Sequence, residues 1–310
     1  MSAQGKLTAG VLALVLAGSL AGCATSGPAG EGLDVTVGSH GTLEGEILAQ
    51  AYGQTLAAEG YTVDYNYGIG GPSRGVTALR NGTIDLMPDL SAGLLSSVNP
   101  HAAANTSQGI LAELPKSLSP LGLAMLDPAG AEVTRAFVTT RDFEEAHSLE
   151  KIGDISLFAS AVTIGGPTGF ESSNYGRSAL TNRYGIADWT AKPASTEEQI
   201  VEDLRFGRTQ IAVLPMSSPG ILANDFVVLE DPQHLMASNQ VVPIIAARTY
   251  TPEFADIVDS VSHRMTTAQL ASLVGRAPKA SSQPDKAKTI ETIVHDWLTD
   301  QDLLGADTPD

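Results

Sequence analysis

Three groups of residues have types and spacing that could carry chemistry. The first is Gly71-Pro72-Ser73-Arg74-Gly75, a G-x-S-x-G string between a predicted strand and a predicted helix, the position of a serine nucleophile in α/β hydrolases. It would make Ser73 the nucleophile of a secreted serine hydrolase. The match is weak, because three fixed positions recur easily in a chain with 31 glycines. Acyl transfer also needs a histidine and an acid at late strand ends, and Pro72 fits the strained turn poorly. A turn that caps a helix, with its amides facing a ligand, is the simpler explanation, and no catalytic residue is expected. The second group is the six histidines, His40, His101, His147, His234, His263 and His295, which are too dispersed for a metal site. His40 stands apart by position. It follows Ser39 at the end of the first predicted strand, where ligand contacts gather in open α/β sheets, so it reads either as a contact or as an exposed turn residue. No Walker motif is present, and neither a cofactor nor a metal is expected.

The third is Cys23, the only cysteine. Lys6 precedes an uncharged apolar run from Leu7 to Leu20, which ends in Leu20-Ala21-Gly22-Cys23. A run this short, with small residues before the cleavage point, is a secretory signal rather than a membrane span, which needs about 20 apolar residues. The reading is a lipobox: residues 1–22 as signal peptide, Cys23 as the lipidated first residue, and 23–32 as a flexible tether rich in small and polar residues. The protein is then extracytoplasmic and anchored to the cell membrane. With 18 Lys+Arg against 35 Asp+Glu the net charge is −17, which excludes a nucleic-acid partner, since phosphate binding needs a basic face.

Some 280 residues remain, enough for two lobes. The hydrophobic pattern predicts a strand over Leu33–Gly38, a helix from Leu43 to a stop at Gly60 with Thr42 as N-cap, and a strand over Tyr61–Tyr67. A short helix ending at Asn81-Gly82 and a strand over Thr83–Met87 complete a βαβαβ unit with a parallel sheet. The second half repeats the theme: a strand at Val162–Ile164, helices near Ser178–Tyr184 and Glu197–Phe206, and a strand at Gln210–Leu214. Leu79-Arg80-Asn81-Gly82 before Ile84, Leu86 and Pro88 echoes Leu204-Arg205-Phe206-Gly207 before Ile211, Val213 and Pro215, which reads either as internal symmetry or as a common α/β pattern. Pro252–Met265, Thr267–Val274 and Asp285–Leu298 read as helices. Two apolar stretches, Ala136–Thr140 and Val241–Ala246, are expected to carry the chain between lobes as hinge strands. The resulting lobes are 33–136 plus 244–304, and 137–243.

In order and spacing these residues resemble a known family. Val37-Gly38-Ser39, Glu44, Ile47–Tyr52, Gly60-Tyr61-Thr62-Val63, Gly82–Leu86 and Pro88-Asp89 look like the opening of the osmoprotectant (glycine betaine, carnitine, choline) substrate-binding lipoproteins of ABC importers. Gly165-Gly166-Pro167, Phe170, Leu229-Glu230-Asp231, Gln240–Ile245 and Phe254–Leu273 continue the likeness over nearly the whole mature chain. The resemblance implies a two-lobed α/β fold of the periplasmic-binding-protein type (type II), with two parallel or mixed sheets, flanking helices and two hinge strands. It also implies capture of a small solute by cleft closure and delivery to a membrane permease with a separate ATPase. A sensor that signals without transport is the other role compatible with such a fold, and a monomer is expected.

Members of that family hold a quaternary ammonium in a cage of aromatic rings. At the positions that resemble the cage this chain carries Asp89, Leu90, Ser91 and Ala92, then Arg135, Pro215 and Asn239, none of them aromatic. The ligand is therefore expected to differ from a quaternary amine. Arg135 suits a carboxylate or takes part in a salt bridge between lobes or at the surface. Ser39, Ser91, Ser217, Ser218 and Asn239 are candidates to orient a polar ligand, with His40, Glu44, Asp89, Leu90 and Pro215 beside them. Phe170 and Tyr175 are either aromatic contacts from the second lobe or core residues.

Overall fold

The computed structural model describes residues 34–277 and 285–304; the expected signal segment, Cys23 and the tether lie outside the described residues. β1 (Asp34–Gly38), α1 (Leu43–Ala58), β2 (Thr62–Asn66), α2 (Pro72–Asn81) and β3 (Leu86–Leu90) make up the predicted βαβαβ unit. α3 (Ser91–Val98), α4 (Ser107–Leu118) and β4 (Leu123–Met125) follow. The chain then crosses to β5 (Arg135–Thr139), α5 (Arg141–His147), β6 (Thr163–Pro167), α6 (Arg177–Tyr184) and β7 (Thr190–Ala194). After α7 (Glu197–Arg205), β8 (Ile211–Pro215), α8 (Pro219–Ala223) and β9 (Val227–Val228) it returns as β10 (Val241–Ala246) and continues into α9 (Pro252–Arg264), α10 (Thr267–Arg276) and α11 (Lys286–Asp300). Among the described residues no helix is long and apolar enough to cross a membrane.

The strands form two five-stranded mixed sheets, β2-β1-β3-β10-β4 and β7-β6-β8-β5-β9. In each, three parallel strands from a βαβαβ unit are joined by a strand that arrives from the other half and pairs antiparallel: β10 against β3 in the first, β5 against β8 in the second. Both sheets are buried on both faces, and this is why their central strands read as continuous apolar runs. Along β10, Val241 and Ile245 face the core under α1, α9 and α11, while Val242 and Ile244 face the core under α3 and α4. Along β8, Ile211 and Val213 pack with Phe170 and Trp189, and Ala212 and Leu214 with Ile200 and Phe226.

The helix termini follow the sequence closely. Thr42 Oγ1 accepts from Gly45 N at 3.1 Å, as predicted for the start of α1. α2 and α7 each lead through a left-handed glycine, Gly82 (φ +78°) and Gly207 (φ +69°), into a central strand that begins four residues later. The echo between the two segments therefore marks equivalent places in the two sheets. The prolines are not equivalent: Pro88 is the third residue of β3, and Pro215 the fifth of β8.

β3 runs from Leu86 to Leu90, later than the Thr83–Met87 expected, because Thr83 and Ile84 donate back to Ala78 O and still belong to the helix cap. It passes through Pro88, which stands opposite Pro243 of β10. Pro243 O accepts from Leu126 N on the far side, so its backbone polar positions point away from β3 and the missing N–H costs this ladder nothing. The crossings lie just ahead of β5 and β10 rather than within them, since both strands pair along their length inside one sheet. There the two passages run side by side: Val133 N donates to Asn239 O at 3.0 Å, Val241 N to Ala131 O at 2.9 Å and Asn239 N to Thr134 Oγ1 at 2.7 Å.

Candidate ligand cleft

Between the strand ends of the two sheets lies a cavity of about 480 Å³, within the range of small-ligand sites. Glu44, Leu90 and Ala92 line it from the first sheet's side, Asn239 and Thr134 from the crossings, and Arg135, Pro215, Tyr175, Asn174 and Glu197 from the second. Six expected residues thus line one cavity: Glu44, Leu90, Arg135, Tyr175, Pro215 and Asn239. Leu90 and Pro215 are the last residues of equivalent strands, and their antiparallel partners are Val241 and Arg135 respectively. Buried Val241 belongs to the first core, whereas Arg135 is exposed in the cleft. Among the described residues the Arg135 guanidinium makes no ion pair, hydrogen bond or ring contact, so the salt bridge weighed from sequence is not formed.

Asn239 is held in place from two directions. Its Oδ1 accepts from Ala92 N at 3.1 Å and Gly93 N at 3.5 Å, satisfying the first turn of α3, and its own N–H goes to Thr134. This leaves the amide NH₂ as a donor at the cleft wall. Glu197, the first residue of α7, accepts from Ser218 Oγ at 2.5 Å.

The other expected residues lie behind this wall. Ser39 is fully buried, with its N–H on Asn66 O and its carbonyl taken by Ile69 N. Ser91 joins β3 to the returning passage: its N–H goes to Gln240 O and its Oγ accepts from Gln240 N at 3.0 Å. Phe170 is 2% exposed and packs on Trp189 with ring centroids 5.8 Å apart, which makes it core. Ser218 caps α8, and buried Ser217 Oγ has no hydrogen-bond partner among the described residues. Asn174 and Glu197 line the cavity without being legible as site residues in the sequence. Asn174 sits in a loop without pattern, while the only signal for Glu197 is its place after the N-cap Thr196.

His40 and Asp89 form a pair at the ends of β1 and β3. Nε2 lies 2.8 Å from Asp89 Oδ1, an ion-pair contact whose N–H is not well aligned on the oxygen, and Nδ1 bonds Gly70 O in the glycine-rich turn. Two acceptors face two ring nitrogens, an arrangement best met by the imidazolium. Burial disfavours that charge, but the Asp89 carboxylate and the Gly70 carbonyl outweigh it, and the ring's pKa rises above its usual 6.5. With both nitrogens engaged, His40 has none free to serve as a base for Ser73. Ser73 lies exposed in the first turn of α2, where its carbonyl accepts from Thr77 Oγ1. No group of three or more His, Asp or Glu side chains suited to a metal gathers among the described residues.

Residues 34–300 match the family described as the substrate binding domain of the ABC-type glycine betaine transport system. Among solved structures, that of a glycine betaine/carnitine/choline ABC transporter is similar with a TM-score of 0.77 at 15% identity, covering 87% of this chain and 100% of that one. Apo YehZ from Escherichia coli gives 0.71 at 18% identity, over 88% and 99%. Lactococcal OpuAC, in its closed conformation complexed with glycine betaine, gives 0.55 at 17%, over 88% and 98%. At these identities the likeness is one of fold. No curated protein matches the sequence.

Proposed function

The chain belongs to the substrate-binding family of ABC-type glycine betaine transport systems, and from that premise we propose that it is the lipid-anchored, extracytoplasmic receptor of an importer, capturing one small solute between its lobes. The observation that carries this is a cavity walled by equivalent strand ends of two separate sheets, Leu90 on one and Pro215 on the other. A ligand touching both walls favours the closed form by its differential affinity for it. The bend falls in the paired passages ahead of β5 and β10, because each sheet is internally complete and the passages are the two chain connections between them, with α8 meeting α10 beside them at Pro219 and Gly275. The lobes expected from sequence, 33–136 with 244–304 and 137–243, then shift to the strand starts, so that all of β10 goes to the first and all of β5 to the second. Closure makes and breaks no covalent bond. The closed form is what a permease recognises, and the ATPase is a separate subunit.

The reading is tested by screening the purified protein against a broad solute collection for a rise in melting temperature, then measuring the radius of gyration by X-ray scattering with and without the hit. Binding with a smaller radius is expected; binding with an unchanged radius would contradict capture by closure. For the anchor, Cys23→Ser is expected to move the protein from the membrane fraction to the soluble one.

A further inference from the structure

The lining of the cleft speaks to the class of solute, an inference that rests on the receptor reading above. Retaining a quaternary ammonium without hydrogen bonds takes several π faces around it. Here the cavity wall offers a single ring, Tyr175. Both tryptophans and four of the seven phenylalanines are committed elsewhere: Trp189, Trp297, Phe137, Phe170, Phe226 and Phe254 are all buried in the cores. What the cavity presents instead is hydrogen-bonding and charged. Arg135 and Glu44 both line it, and among the described residues neither side chain has an ion pair or hydrogen bond. Asn239 adds an amide donor fixed by its contacts to α3 and Thr134.

These groups also lie on different walls. Glu44 belongs to the first turn of α1, which packs on the first sheet, and Arg135 opens β5 of the second. A guanidinium matches a carboxylate with two parallel hydrogen bonds, while a carboxylate needs N–H donors and gains nothing comparable from methyl groups. A solute carrying the complementary charge at each end satisfies both groups together as the cleft closes.

We propose that the cleft takes a zwitterion with a protonated, N–H-bearing amine, its carboxylate on Arg135 and its ammonium on Glu44. Such a solute is an amino acid rather than a fully methylated betaine. The test titrates the purified full-length protein calorimetrically with the twenty standard amino acids and γ-aminobutyrate, each beside its fully N-methylated betaine, and with choline. At least one primary amine should bind ten-fold or more tightly than its trimethyl counterpart. Arg135→Gln and Glu44→Gln should each weaken it ten-fold or more with the melting temperature of the free protein unchanged. Tighter binding of glycine betaine or choline overturns the zwitterion assignment and leaves the receptor reading intact. So does silence across this panel when the broad collection yields a hit. Silence across both removes the two together.

Discussion

The two sheets share one plan and finish it differently. With Val37 opposite Leu86 and Ile164 opposite Ile211, the strands align so that His40 corresponds to Pro167 and Asp89 to Leu214. In the first lobe the strand ends under the cleft are tied by an ion pair, His40 to Asp89, that also holds Gly70. In the second they are tied by an apolar plug: Phe170 packs against Gly166 and Trp189, and its loop turns back at Gly176, where a Cβ would come within 2.3 Å of Glu171 O. A floor of charge responds to pH, whereas a floor of packing responds to volume.

The largest expected effect falls on the second lobe. Phe170→Ala removes a fully buried ring beneath the cleft and should cost about 3–5 kcal/mol in denaturant unfolding. Gly176→Ala should cost about 1–3 kcal/mol, since backbone atoms rather than a flexible side chain must give way. If either proves neutral, the plug is not what holds that floor. The first lobe is tested by pH. The pKa of His40 is higher folded than unfolded, so its stabilisation is fully present below pH 6.5 and is lost as pH rises through the raised folded value. Wild-type melting temperature should therefore fall over that window, and His40→Gln should flatten the slope; an unchanged slope in the variant would refute the clamp. Smallest of all, Tyr175→Leu on the cleft wall, where the ring is half-buried against the second core, should cost about 1 kcal/mol while changing ligand affinity, the reverse of Phe170→Ala.

Much of this plan is legible in the sequence where burial is two-sided or a backbone stop is chemical. Val241–Ala246 announces a central strand by having no polar face, and Gly82 and Gly207 announce helix ends because the left-handed region favours glycine. β7, which carries Lys192 and Pro193, is not legible: it is an edge strand, where a missing N–H and a solvated charge are tolerated and the apolar signature is absent. α3 and α4 escape too, and α4 has Pro115 within it. At the site, Arg135 and Asn239 stand out by type in an acidic chain, while the split between Phe170 as core and Tyr175 as wall depends on a loop five residues apart whose direction no periodicity encodes.

The position of β10 has a consequence for how the molecule is made. It lies between β3 and β4, yet it follows the entire second sheet in the chain, and the bond that seats it joins Ser91 to Gln240, 149 residues apart. During synthesis or export the second lobe has all its strands before β10 emerges, while β3 and β4 wait with open edges. The first lobe is then the late, slow step of maturation and its exposed edges are the place where an unfinished chain would aggregate, so a helper that shields nascent strands would matter most between the emergence of β4 and that of β10.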